Sequence, residues 1–213
     1  MSDSKKVLIL ALTIFLVLLL GVYASYRYTK DRTPGMVLPG GITYLGPSPT
    51  PLPAPAGTES SLITIPPGTT WSAYQGKLFP YAFSYPSSLS LGVFPNDPYD
   101  GVTIFWGHTN PQNNLLLRVE NLNKLHGMAK YVSEPKEVYV KNWWRQYGYE
   151  GAGRVTKITN SQGLVGYRAR YAGSNFDNVF FEVPNHPELV IWLTGKLLDQ
   201  VTFDKIIDSL SWK

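Results

Sequence analysis

The chain contains no cysteine. That excludes disulfides, thiolate zinc sites, a cysteine nucleophile and an N-terminal lipidated cysteine. It also leaves the compartment unread, because a thiol-free domain suits the cytosol and the exterior alike. Concentrated charge of one sign is missing too. The formal charge of +4 divides between residues 1–70, with 5 Lys/Arg and 3 Asp/Glu, and residues 71–213, with 14 and 12. Neither part carries the basic face that phosphate binding needs, so nucleic acid is not an expected partner. The three histidines, His108, His126 and His186, stand too far apart for a local metal-ligand pair. There is no nucleophile elbow of the GxSxG kind, no SxxK and no Walker loop. The glycines of Gly148-Tyr-Glu-Gly-Ala-Gly153 follow a helical pattern instead of opening one, and read as a connector.

What is present begins with one long apolar run. Val7 to Tyr26 carries no charge, and at about 1.5 Å per residue it reaches roughly 30 Å, one hydrocarbon thickness. Lys5 and Lys6 precede it, Arg27, Lys30 and Arg32 follow, and Tyr23, Tyr26 and Tyr28 stand where an interfacial belt would. The pattern predicts a transmembrane signal-anchor over 7–26 behind a short tail, 1–6. Flanking charge barely sets its orientation, with two lysines and the amino terminus against three basic residues. The next segment decides it. Thr33 to Thr70 holds 9 of the 17 prolines and one charge, Glu59, and such tracts stay extended because proline fixes φ and little apolar surface exists to bury. Residues 27–70 read as a Pro-rich stalk lifting a domain from the outer surface, with a cytoplasmic amino terminus. The alternative is a secreted protein cleaved after Ala24, since Val22 and Ala24 are small residues at the positions a signal peptidase inspects.

From Trp71 the composition turns aromatic and β-branched. Tyr81, Phe83 and Tyr85 share one strand face, as do Leu89, Leu91 and Val93, which predicts two antiparallel strands joined at Pro86. Pro95 to Gly101 is turn chemistry; Val102 to Trp106 and Leu115 to Leu122 read as further strands. A helix is predicted from a Ser133 cap, with Pro135 in its first turn, Tyr139, Trp143 and Tyr147 along one face, and Gly148 as its stop. Arg154–Thr159 and Leu164–Tyr171 flank Asn160-Ser-Gln-Gly163, a hairpin signal, with Val165, Tyr167, Ala169 and Tyr171 inward and Arg168 and Arg170 outward. Val179–Val183 and Leu189–Thr194 follow, then a closing helix with Phe203, Ile206, Ile207 and Leu210 behind a Thr202 cap. The expectation for 71–213 is one α+β domain, an antiparallel sheet of about seven or eight strands with helices packed on it.

Tyr81-Ala-Phe-Ser-Tyr-Pro-Ser-Ser88 resembles the aromatic strand that opens PsbP-like domains. Gly163-Leu-Val-Gly-Tyr-Arg-Ala-Arg-Tyr171 is similar to their central strand, and Leu189–Leu193 with Phe203–Trp212 to their last strand and closing helix. The resemblance covers most of 71–213 and implies an α/β/α sandwich, of the membrane-anchored bacterial type. It implies a fold and no shared catalytic motif.

Asn96, Asp97 and Asp100 bring several oxygens into five residues, which makes Asp97 and Asp100 the metal candidates, although the calcium-loop pattern with its distal glutamate is missing. Trp143 and Trp144 are adjacent on the predicted helix and cannot both face inward, so one is available to a partner or a sugar ring. No catalytic residue and no cofactor is expected. Anchor, stalk and missing catalytic signatures point to a non-enzymatic, extracytoplasmic domain that binds another envelope protein or assists an assembly. The surplus of Trp and Tyr makes a carbohydrate- or cell-wall-binding module the alternative.

Overall fold

The structure, a computed structural model, describes residues 15–24, 42–47, 63, 65–94, 96–104, 114–196 and 198–213. Residues 15–24 are helical (α1) and exposed. The rest of the predicted 7–26 anchor lies outside the described residues, among which no helix is long and apolar enough to cross a membrane. α1 belongs to a unit of residues 1–37, separate from the unit of 38–213 that carries everything below.

That second unit is α+β. Its main sheet has eight strands in the order β1-β4-β5-β6-β10-β9-β8-β7, all pairs antiparallel. The strands are β1 (Thr43–Leu45), β4 (Leu91–Val93), β5 (Val102–Ile104), β6 (Leu115–Asn121), β7 (Val155–Thr159), β8 (Val165–Ala169), β9 (Asn178–Glu182) and β10 (Leu189–Thr194). A second sheet of three strands, β11-β3-β2, joins Ser211–Trp212, Tyr81–Pro86 and Trp71–Gln75. The predicted pair at 81–93 is therefore corrected. Tyr81, Phe83 and Tyr85 share a buried face, but β3 pairs with β2 and β11 while Leu91 and Val93 enter the main sheet. After Pro86 the backbone turns, Leu89 N donating to Pro86 O at 2.9 Å, and the chain passes from one sheet to the other.

The two faces of the main sheet bury different layers. On one, the small sheet and α3 (Gln200–Ser209) pack Tyr81, Phe83, Phe203 and Ile206 against Leu117, Phe181 and Ile191. On the other, Tyr139, Val140 and Trp143 of the helical layer meet Tyr167, Phe180 and Val190. Strands covered on both sides must be apolar at nearly every position, which accounts for the runs VFF in β9 and LVI in β10. Gly166 is the exception with a reason: a Cβ there would sit 2.9 Å from Phe180 O and 2.7 Å from the Phe181 ring.

Several local expectations change. Thr43–Leu45 and the buried Ile63, both within the expected stalk, belong to the domain: β1 extends the main sheet beyond β4, and Ile63 bridges to Leu198. Pro135 itself occupies the N-cap of α2 (Lys136–Asn142), because a residue before proline is barred from helical geometry, and the Ser133 hydroxyl turns back to Lys130 O. The predicted helix then tightens into a 3-10 stretch, Trp143–Tyr147, closed by Gly148 at φ 83°. Asp199, not Thr202, caps α3, accepting from Thr202 N at 2.9 Å and Thr202 Oγ1 at 2.7 Å. Arg168 does not face out freely; half-buried, it bridges Asp177 of the β8–β9 loop and Asp204 of α3.

Candidate functional site

The helix-covered face of the main sheet holds a buried polar centre. β6 reads Leu-Leu-Leu-Arg-Val-Glu-Asn, so Arg118 and Glu120 lie two residues apart on one face. Glu120 is 0% exposed and Arg118 9%. The Arg118 Nε–H donates to Glu120 Oε1 at 2.9 Å, its Nη2 to the same oxygen, and its Nη2 also to Tyr147 OH at 3.1 Å. Tyr139 OH and Trp143 Nε1–H donate to the other oxygen, Oε2. The guanidinium lies 4.7 Å from the Trp192 ring centroid and 5.5 Å from that of Tyr99. Burial and the adjacent Glu120 carboxylate push the Tyr139 hydroxyl well above the usual tyrosine range. Every oxygen of this carboxylate is engaged, so the centre orders the helical layer and leaves no open lone pair for chemistry. Two charges on one face of an otherwise apolar strand were its signal in the sequence.

Around this centre the tryptophans separate by depth. Trp143 is 1% exposed, its ring 4.8 Å from Trp192 and 5.3 Å from Phe180. Trp144 is half-buried and stacks on Tyr171 at 5.4 Å and 18° and on Tyr149 at 4.9 Å and 30°. The surface ring of the series is Tyr149, 59% exposed. Beside it, Lys141, Arg145, Glu150 and the backbone of 148–152 outline an open cleft of about 530 Å³. The glycine-rich connector is thus a packed wall, with Ala152 N donating to Lys141 O at 2.9 Å.

The other sequence candidates are internal. Asp97 accepts from Tyr99 N at 3.2 Å and Gly101 N at 2.7 Å; Asp100 accepts from Leu78 N at 2.9 Å and Phe79 N at 3.1 Å. Asp97 thus caps donors of its own turn, in which Asn96 and Asp100 take positive φ, and Asp100 caps donors of the connection between β2 and β3. Among the described residues no group of three or more His, Asp or Glu is gathered to hold a metal ion. His126 is exposed in a turn and His108 lies outside the described residues. His186 sits in the β9–β10 loop, 3.1 Å from Glu188, on the wall of a second cleft of about 410 Å³.

No family model, curated protein or solved structure matches the chain.

Proposed function

We propose that this chain is a membrane-anchored extracytoplasmic protein whose α+β domain, of PsbP-like type, is not an enzyme and binds another envelope protein through the shelf around Tyr149. The observation that carries this reading is the stack Tyr171–Trp144–Tyr149, which holds an exposed ring rigidly beside Lys141 and Arg145. Aromatic and arginine side chains fixed in advance lose little entropy on binding and dominate protein interfaces. No ion pair engages Lys141 or Arg145 among the described residues, so the matching partner surface is an acidic segment. The anchor is residues 7–26, with the domain outside; cleavage after Ala24 is the alternative, and the intact mass of the native protein separates the two.

A photo-crosslinking residue at Tyr149, in native membranes, tests the binding surface. A discrete protein adduct that Arg145→Glu reduces is the expected result; adduct formation unchanged by Arg145→Glu, or none at all, refutes it. The alternative of a glycan on Trp144 is less well supported, because Tyr149 and Tyr171 already stack on that ring.

A further inference from the structure

The second cleft lies at the opposite end of the helical layer from Tyr149, between the start of α2, the β7–β8 turn and the β9–β10 loop, with a volume of about 410 Å³. Its floor is apolar, from Leu164, Val183 and Leu189, and its walls carry Lys136 and Glu182. Lys136 is 7% exposed. Its ammonium closes the end of the 3-10 turn Ala129–Val132, donating to Tyr131 O at 2.8 Å and Val132 O at 3.1 Å. An ammonium has three N–H donors, so one is left over. Glu182 is half-used in the same way: Tyr167 OH donates to Oε1 at 2.8 Å, and Oε2 has no partner among the described residues.

These two groups do not satisfy each other, since no ion pair joins them among the described residues. Two residues that each keep a hydrogen-bonding site unused among the described residues therefore line one cavity of ligand size. A hydroxyl group answers both, accepting from the ammonium while donating to the carboxylate. A cationic ligand would meet the buried Lys136 charge, and an anionic one Glu134 and Glu182. Asn185 and His186 on the rim add polar groups for neighbouring hydroxyls, and the aliphatic floor suits C–H faces.

We propose that this cleft binds a neutral saccharide ring, with one ligand hydroxyl bridging Lys136 Nζ and Glu182 Oε2. The site is separate from the Tyr149 shelf and stands or falls without it. The test is saturation-transfer NMR on the full chain in phosphocholine micelles, which carry no sugar headgroup, with cellotriose and chitotriose as probes and spermidine as the charged control. Transfer to at least one sugar is expected for the wild type, with affinity about ten-fold weaker in Glu182→Gln, which keeps an oxygen for Tyr167 but loses the charged acceptor. Lys136→Met should weaken binding similarly where its melting curve shows a folded domain. No transfer to either sugar, equal transfer in Glu182→Gln, or binding of spermidine alone overturns the proposal.

Discussion

Removing one member of the Arg118–Glu120 pair should cost the domain more than removing both. In Arg118→Met the Glu120 carboxylate, 0% exposed, keeps only Tyr139 and Trp143 as donors. In Glu120→Gln the guanidinium loses its counter-charge and keeps Tyr147 and two rings. Breaking a buried pair in this way costs about 3–5 kcal/mol. The lower end applies here, because 11% of the Arg118 side chain still reaches water. The double variant carries no buried charge, and its glutamine oxygen still accepts from Tyr139 and Trp143. It should therefore lose no more than about 2 kcal/mol, where additivity would demand about 6. Urea unfolding followed by tryptophan fluorescence measures this directly, since all 6 tryptophans lie beyond residue 70 and report the domain alone. Single-variant losses below about 1 kcal/mol, or a double variant equal to their sum, would refute the view that the pair is a coupled buried unit.

Asn160→Ala should cost at least about 2 kcal/mol, read as a lower urea midpoint, because several hydrogen bonds go at once. The Asn160 Nδ2 donates to Ile207 O at 3.0 Å and Leu210 O at 2.7 Å, and its Oδ1 accepts from Leu164 N at 2.9 Å. Asp199→Ala removes the α3 cap and should cost about 1 kcal/mol, with Asp199→Asn recovering most of it. Alkaline pH should unfold the domain. Burial, and then Asp100, push the Tyr74 hydroxyl up to about 12, and burial raises Tyr81, Tyr139 and Tyr171 in the same direction. An unfolded tyrosine releases its proton near pH 10 while native Tyr74 holds it to about 12. Stability is thus intact below about pH 10 and falls, as pH rises toward 12, by up to about 1.4 kcal/mol per unit for each such residue. Tyrosinate absorbance and tryptophan fluorescence should change together, and complete ionisation with native fluorescence would contradict this.

Much of the fold could be read from periodicity. The hairpin around Asn160–Gly163, strands β9 and β10, and the apolar stripe of α3 all follow from patterns two or four residues long. What periodicity misses is partnership. Nothing within Tyr81–Val93 says that its two strands join different sheets, because β3 finds its neighbours at Trp71–Gln75 and at Ser211–Trp212. The site was less legible. Trp143 and Trp144 stood out as adjacent aromatics, but Trp143 is buried and Trp144 half-buried, and the exposed ring beside them is Tyr149, whose position depends on a 3-10 turn and a left-handed glycine. The second cleft draws Lys136 and Glu182 from elements far apart in the chain, and no local motif joins them.

The pairing of β11 with β3 has a consequence for how the chain is made. Ser211 Oγ reaches back 129 residues to Ala82 O, and Lys213 N donates to Pro80 O at 2.9 Å. The small sheet cannot close until residues 211–213 have left the ribosome, and contacts of such sequence separation form slowly. Synthesis from the amino end thus leaves the aromatic strand Tyr81–Pro86 with one edge unpaired until Ser211 and Trp212 have been added, some 125 residues later.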